Sequence, residues 1–292
     1  MSTTAMPTNT KWWNGGRSPF NASYGKVMMW YFLMSDAFTF GAFLISYGTI
    51  RFSVNSWADP NQVFNAFPGF GHQNLPLAFV SLMTFILIFS SVTMVLAVHE
   101  GHKMNRKGVE KYMILTILGG LAFLGCQAWE WTHLLTGEHI AMLGDGSLSV
   151  VPTTVKMNPW GTHVAADAVA AALQSTPHDK LVEIASTLQH GGAAHDLTAK
   201  SAGELITAIQ ASPELHVTHT GPIAFGGYFF GITGFHGFHV FSGVVINVVM
   251  WAKTRLGHFD ERGHYEMIEK AGLYWHFVDL VWVFVFLCFY LI

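Results

Sequence analysis

The stretch Gly231-Ile-Thr-Gly-Phe-His-Gly-Phe-His-Val-Phe-Ser-Gly243 lies inside a run without charged residues that covers residues 223–251. A hydrocarbon core about 30 Å thick is crossed by a helix of about 20 apolar residues. The run is therefore long enough to span a membrane, and its two histidines would lie within the bilayer. A polar side chain at that depth is costly unless a partner satisfies it. The stretch predicts a membrane-spanning helix whose histidines face other protein groups.

Four further windows have similar length and composition: 27–47, 77–98, 112–131 and 273–292. Charged residues make up 11% of the chain and hydrophobic residues 51%, whereas a soluble protein carries about 25% charged residues. A buried core helix of a large soluble protein would explain one such window, but not five. The expected fold is all-α, a polytopic membrane protein with a bundle of five transmembrane helices and a helical extramembrane insert.

Lys and Arg concentrate on one side of this arrangement. Eleven of them lie in the N-terminal segment and the 2–3 and 4–5 loops, against four on the opposite side. Since cytoplasmic loops are enriched in these residues, we expect the N-terminus inside and the C-terminus outside. The expected divisions are an inner segment 1–26, transmembrane helices 1–3 at 27–134, an external insert 135–221 and transmembrane helices 4–5 at 222–292. The first 26 residues lack the apolar core of a cleavable signal peptide.

The external insert has its own sequence signals. Short helices are predicted at 163–173, at 176–188 and after Ser201, which opens a capping box. Six histidines of the insert raise the alternative of a metal site: His163, His178, His190, His195, His216 and His219. Because no Cys or regularly spaced acid accompanies them, we interpret them as surface side chains. The insert is expected to form a cap that docks on a partner subunit, and a flexible loop is the alternative.

Polar residues within the spans form a candidate site. In the fourth span they recur at spacings of 3, 3, 4 and 4, which places them on one helix face: Thr233, His236, His239, Gly243 and Asn247. The other spans contribute Asp36, Gln127, Glu130, His276 and Asp279. Asp36 is expected near the histidine stripe, because its depth of roughly 15 Å is close to the roughly 18 Å of His239. Glu130 is expected near the outer interface, less deeply buried than Asp36. Cys126 and Cys288 are interpreted as small apolar residues.

Three interpretations of these histidines are open. Haem ligation needs two ligands on opposite faces of one iron, which His236 and His239 cannot provide, and His276 is expected roughly 10 Å shallower than His239. A proton or ion pathway of a transporter is the second, since paired intramembrane acids and histidines are common there. The third is a structural and lipid-facing hydrogen-bond network of an accessory subunit.

The motifs resemble those of a known family. The run from Thr233 to Gly243 closely resembles the sixth-helix signature of subunit III of haem–copper oxidases. Glu269-x6-His276, within Tyr274-Trp-His-Phe-Val-Asp-Leu-Val-Trp282, resembles that family's last-helix signature. Three shorter segments also resemble motifs of the family: Ser35-Asp36 with Phe40-Gly-Ala-Phe43, Asn74-Leu-Pro-Leu77, and Gln127-Ala-Trp-Glu130-Trp131. Three features depart from the family: five helices instead of seven, Asp36 in place of the usual Glu, and the external insert.

The resemblance implies an accessory, non-redox subunit of a respiratory cytochrome c oxidase in a bacterial inner membrane. Haem and copper would belong to subunits I and II, and this chain would bind none. It would pack against subunit I, contact subunit II and small subunits, bind phospholipid, and support proton uptake and stability in turnover. A larger respiratory supercomplex is a further candidate partner, and no nucleic-acid partner is expected. The implied network is Asp36, Glu130, Thr233, His236, His239, Glu269, Trp275, His276 and Asp279. A quinol oxidase subunit and, from another class, a proton-coupled transporter are the alternatives.

Overall fold

The computed structural model describes residues 23–54, 57–58, 63–64, 76–136, 138–152, 164–190, 202–211, 217–219 and 221–291. Several features of the sequence analysis lie outside these residues. They are most of the inner segment 1–26, Asn74 ahead of the second span, the insert histidines His163, His195 and His216, and the capping residue Ser201.

Five long helices confirm the expected transmembrane bundle. They are α1 (Tyr24–Ser53), α2 (Pro76–His102), α3 (Arg106–Thr136), α7 (Ile223–Arg255) and α9 (Glu266–Phe286), which continues as a π-helical turn over Leu287–Leu291. Each helix is longer than its apolar window, because Lys, Arg and His side chains at the ends can extend to the membrane surface while the backbone stays helical. The fold is therefore that of an all-α polytopic membrane protein.

Four of the helices form the centre of the bundle, where α2 packs along α3, α3 along α7, and α9 against both α2 and α7. Glycines allow the close approach around Trp275. A Cβ atom at Gly120 would lie 2.6 Å from Cη2 of Trp275, and one at Gly243 would lie 2.8 Å from Cε3 of the same ring. Small residues at helix interfaces are the usual means of association in membranes, where no hydrophobic effect drives helices together.

The first helix is attached more loosely. Within the described residues α1 contacts mainly α9 and α7, and most of its side chains are exposed, among them Trp30, Tyr31, Phe38 and Ile45. Apolar side chains on this surface suit contact with lipid or a partner helix. The few polar contacts of α1 with the bundle therefore carry much of its attachment.

The insert combines three helices with a small sheet. The helices α4 (Ala166–Ser175), α5 (His178–His190) and α6 (Ala202–Ala211) correspond to the three predicted from the sequence. The sheet was not predicted: β1 (Glu138–Met142) pairs antiparallel with β2 (Leu148–Pro152) and parallel with β3 (Thr218–His219). Its strands have only five, five and two residues, which is too short for a clear alternation of apolar and polar positions.

The sheet positions the insert relative to the membrane helices. The strand β1 begins two residues after α3 ends, and β3 lies shortly before α7 begins. Since β1 and β3 are neighbours, the chain leaves and re-enters the bundle at adjacent points. The insert has its own apolar core, which includes Leu148, Leu173, Ile184 and Leu205.

A cluster of charged side chains joins the two loops at the opposite end of the bundle. Arg106, at the start of α3, binds Glu110 at 3.0 Å and lies 3.7 Å from Asp260. Asp260 belongs to the short helix α8 (His258–Arg262) and accepts a hydrogen bond of 2.5 Å from the Tyr265 hydroxyl. Burial and the Asp260 carboxylate raise the pKa of Tyr265 above its usual range. These contacts fix the loop between α7 and α9 to the start of α3.

Candidate functional site: the polar network within the bundle

Asp36 and His239 form the expected pair between α1 and α7. Oδ2 of Asp36 lies 3.4 Å from Nε2 of His239, and Nδ1 of His239 lies 2.9 Å from the carbonyl of Phe235. A carbonyl oxygen only accepts hydrogen bonds, so Nδ1 carries a hydrogen. The side chains are 15% and 9% exposed. At 3.4 Å the contact with Asp36 is longer than a good hydrogen bond, so the pair is joined loosely.

His236 has a different partner, although it lies one turn away on the same stripe. Its Nε2 is 3.1 Å from the carbonyl of Val278 on α9, while its buried Nδ1 has no hydrogen-bond partner among the described residues. The rings of Phe123 and Trp282 surround it. Thr233 bonds within its own helix, to the carbonyl of Phe229. The stripe thus links α7 to α9 through His236 and to α1 through His239.

Glu130 is more deeply buried than expected. It is 1% exposed, whereas the side chain of Asp36 is 15% exposed, so the predicted order of burial was wrong. The reason is the π-helical turn after α9, which brings the Tyr290 hydroxyl to 3.2 Å from both carboxyl oxygens. Gln127 donates a third hydrogen bond at 3.1 Å. All donors are neutral, so the network satisfies the acid without a cation.

The last-helix motif residues occupy several depths. Glu269 forms an ion pair of 2.6 Å with Lys26 of α1. The indole of Trp275 donates to Oγ of Ser90 at 3.0 Å. Nδ1 of His276 lies 2.6 Å from Oγ of Ser91. The structure therefore joins His276 to α2 and does not bring it to His236 or His239.

Asp279, one turn beyond His276, also interacts with the hydroxyl of Ser91. Its Oδ1 is buried and has no hydrogen-bond partner among the described residues. Ser91 is thus shared by a histidine and an acid, at a partly exposed position on the α2–α9 seam. Within the described residues, no group of three His, Cys, Asp or Glu side chains is arranged to hold a metal ion.

Hydroxyl side chains are the members of the network that the sequence analysis missed. Ser90, Ser91, Tyr274 and Tyr290 each bond a motif residue or its helix, as in the 2.7 Å contact between Tyr274 and Ser242. The one sequence feature that could have indicated these residues was the position of Ser90 and Ser91 in the middle of an uncharged span. Serine is common in such spans, where it can bond its own backbone, so the signal did not identify a partner.

Three polar contacts attach α1 at different depths. Lys26–Glu269 lies at the end where α1 begins, Asp36–His239 lies in the middle, and Ser46 meets the hydroxyl of Tyr228 at 2.6 Å nearer the other end. They are spaced ten residues apart on α1, roughly 15 Å of helix. A helix with little buried surface is thus positioned by one polar contact at each level.

An apolar groove lies beside the third of these contacts. It has a volume of about 440 Å³ and is lined by Phe43, Ile223, Ala224, Gly227, Tyr228, Gly231 and Ile232. Nothing lies within 4 Å of the Cβ position at Gly227 or Gly231. The glycines thus hollow the surface of α7 between its contacts with α1.

The fold and the network define a class of protein: a polytopic α-helical membrane protein whose intramembrane polar residues bond its helices to one another. Comparison with known proteins narrows this class. The profile of the family described as cytochrome c oxidase subunit III matches residues 203–292. This region contains all of α6 but its first residue, the end of the insert and the two motif-bearing helices α7 and α9.

Individual relatives bear the same description. The cytochrome c oxidase subunit 3 of Marchantia polymorpha is 46% identical over 66 residues, 23% of this chain and 24% of its own length. That of Prototheca wickerhamii is 28% identical over 198 residues, 66% of this chain and 73% of its own length. That of Synechocystis sp. is 42% identical over 69 residues, 23% of this chain and 29% of its own length. The match thus covers less than a third of the Marchantia and Synechocystis proteins. These matches support the subunit III family of haem–copper oxidases, which the motifs also resemble.

Proposed function

We propose that this protein is an accessory, non-redox subunit of a respiratory cytochrome c oxidase. The observation that supports the proposal is that the motif residues form their polar contacts with neighbouring helices of the same chain. His236 bonds the backbone of α9, His239 pairs with α1, and Trp275 bonds α2. These contacts hold helices in place, which is the work of a subunit that supports a catalytic partner. Haem and copper would then be held by subunits I and II of the complex.

The proposed network comprises the nine residues implied by the motifs, and it has two regions. Asp36, His236, His239 and Glu269 attach α1, α7 and α9 to one another, Thr233 bonds within α7 on the same face, and Glu130 bonds Tyr290 at the end nearer the insert. Trp275, His276 and Asp279 attach α9 to α2. The Asp36–His239 pair, midway along α1 and partly accessible, is the member suited to supporting proton uptake, because paired intramembrane acids and histidines are common in proton pathways.

Phospholipid binding is proposed at the apolar groove between α1 and α7. Its 440 Å³ volume and its glycine floor suit an acyl chain, since apolar concavities bind apolar ligands with few polar contacts. The lipid would fill the space that the weak packing of α1 leaves. It would thereby stabilise α1 on the bundle.

The proposed topology places the N-terminus in the bacterial cytoplasm and the C-terminus in the periplasm, with the divisions 1–26, 27–134, 135–221 and 222–292. The Lys and Arg side chains at the α8 end of the bundle support this orientation, and the insert is then periplasmic. Its small separate core supports a role as a cap that docks on a partner subunit. Protection from protease added to the outer side, lost when the complex is dissociated, would support docking. Equal cleavage in both states would contradict it.

The main proposal is tested by purification through an affinity tag on this chain from native membranes. We expect a complex with the visible absorption of haem, and no haem in the chain once it is separated from its partners. Oxidation of reduced cytochrome c by the complex would support a cytochrome c oxidase, and oxidation of a quinol instead would identify the alternative oxidase. Purification of the chain without any haem-bearing partner would contradict the proposal and favour a transporter.

A further inference from the structure

A polar notch interrupts the membrane-facing surface where α2 meets α9. We define it by Ser91, His276 and Asp279, all of which are partly exposed. His276 lies ten residues from the start of α9, and Ser91 lies near the middle of α2. Both fall within the apolar windows 273–292 and 77–98, towards the side of the membrane where α9 begins. The notch therefore lies within the membrane-spanning part of both helices.

The hydrogen bonds of the notch leave two polar atoms without a partner among the described residues, the buried Oδ1 of Asp279 and Nε2 of His276. Nδ1 of His276 lies 2.6 Å from the hydroxyl of Ser91, and the carboxyl of Asp279 lies near the same hydroxyl. His276 Nε2 has no hydrogen bond to any residue in the part of the chain that the structure describes. A polar atom facing hydrocarbon without a partner costs several kcal/mol. The notch is therefore incomplete in the isolated chain.

The chemistry of the missing partner follows from the chain of hydrogen bonds. If Asp279 accepts the hydrogen of Ser91, Nδ1 of His276 must donate to the serine oxygen, and Nε2 is then an acceptor. The notch would in that arrangement bind a hydroxyl, indole or amide donor. If Asp279 is protonated, it donates to the oxygen of Ser91, and the Ser91 hydroxyl donates to Nδ1 of His276. Nε2 then carries the hydrogen, and the partner is an acceptor. Either way the partner is a neutral polar side chain that reaches Nε2 from the membrane side.

Apolar side chains flank the notch on both helices. On α2, Ile88 and Val95 are 40% and 53% exposed, and on α9, Leu280 and Val283 are 54% and 46% exposed. An apolar strip with one central hydrogen-bonding group is typical of an interface between transmembrane helices. We infer that the α2–α9 seam is the docking surface for a transmembrane helix of a partner subunit, which supplies a polar side chain to Nε2 of His276. The inference rests on the proposed function and deepens it, because it names where a partner packs.

The chain offers a matched pair of positions for a crosslinking test. Leu280 and Phe241 are 54% and 56% exposed, and each lies 14 residues from the end of its helix at the α8 side. A photoreactive benzoylphenylalanine would replace each in turn in the full complex in native membranes. We expect a crosslink from position 280 to a different polypeptide of the purified oxidase, and from position 241 to lipid. Crosslinks to lipid from both positions, or to a second copy of this chain from position 280, would overturn the inference.

Two substitutions of His276 separate docking from internal structure. The amide of His276→Gln can occupy the place of Nε2, whereas that of His276→Asn can occupy the place of Nδ1 beside Ser91. We expect His276→Asn to weaken association with the partner by roughly threefold, the effect of an average hydrogen bond between membrane helices, and His276→Gln to weaken it less. The reverse order would show that His276 serves only the contact with Ser91. A crosslink from position 280 to a polypeptide of a complex that contains no haem would contradict the proposed function while leaving the docking surface in place.

Discussion

Oδ2 of Asp36 on α1 faces Nε2 of His239 on α7 at 3.4 Å, and Nδ1 of that ring is already committed to the carbonyl of Phe235. Because Nδ1 carries a hydrogen, Nε2 of a neutral ring is an acceptor, and a side chain that donates from the position of Asp36 Oδ2 would bond it. The pair positions α1 against α7 midway along α1.

Substitutions at Asp36 test whether a hydrogen-bond donor at this position stabilises the contact with His239. The amide of Asp36→Asn can donate to Nε2 of His239, whereas Asp36→Leu has the same branching at Cγ and no donor. We expect Asp36→Leu to lower the free energy of unfolding by about 0.6–1.7 kcal/mol, the range measured for hydrogen bonds between membrane helices, and Asp36→Asn to leave it nearly unchanged. Thermal unfolding of the solubilised complex measures both. Equal destabilisation by the two variants would show that the native pair is ionic.

Trp275 should tolerate no added volume on either side. A Cβ at Gly120 would lie 2.6 Å from the Trp275 ring and 2.7 Å from Val244, and one at Gly243 would lie 2.8 Å from the ring. We expect Gly120→Ala and Gly243→Ala each to destabilise the protein by about 1–3 kcal/mol, as overpacking does. The matched control on α7 is Gly237→Ala, because nothing lies within 4 Å of its Cβ position. A loss of stability in the control equal to that at Gly243 would refute the packing argument.

Glu130 should be protected from reagents in water on both sides of the membrane. It is 1% exposed and is enclosed by Tyr290 and Gln127. We expect a water-soluble carbodiimide to leave Glu130 unmodified in the intact complex and to modify Asp145, which is exposed on the insert. Peptide mass spectrometry gives both yields in one sample. Tyr290→Phe should lower the free energy of unfolding by about 1–3 kcal/mol, because it leaves a buried acceptor unsatisfied. Modification of Glu130 at the yield of Asp145 would contradict its burial.

The turn between β1 and β2 gives the insert a dependence on pH. The carboxylate of Asp145 accepts hydrogen bonds from the Ser147 hydroxyl at 2.7 Å and from its backbone N–H at 3.0 Å, and these bonds lower the pKa of Asp145. A lowered pKa means that this stabilisation is present above the pKa of the unfolded chain and is lost as the pH falls through that of the folded protein. We expect Asp145→Ala to speed proteolysis of the turn at neutral pH. In acid, the variant and the unsubstituted protein should be cleaved at the same rate. A constant difference between the two rates at all pH values would show that the charge of Asp145 does not stabilise the turn.

Removal of the whole chain should shorten the time for which the complex remains active more than it lowers the initial rate of O2 reduction. If haem and copper belong to partner subunits, a complex without this chain should reduce O2 at first and lose activity during continued turnover, because proton supply and lipid retention are impaired. Oxygen consumption followed over many turnovers measures the loss. The control is the same preparation reconstituted with the purified chain. An immediate and complete loss of O2 reduction in an otherwise assembled complex would contradict the accessory role.

The membrane class, the five spans and the residues that carry the family resemblance could all be read from the sequence alone. These properties are local: the length of an apolar run decides whether a helix can span the bilayer, and a His or Asp within it is visible without knowledge of the fold. The helical parts of the insert were predictable for the same reason, because their apolar positions repeat along a continuous segment.

Which polar residues meet could not be read from the sequence, because it depends on how the helices pack. Glu130 is buried because the turn after α9 carries Tyr290 to it across 160 positions of sequence, and His276 bonds Ser91 of α2 and not the stripe on α7. The strand β3, two residues long, pairs with β1 across the whole insert. Spacing fixes which residues share the face of one helix, but the rotation and crossing of packed helices fix what that face contacts, and those depend on side-chain packing from every span at once.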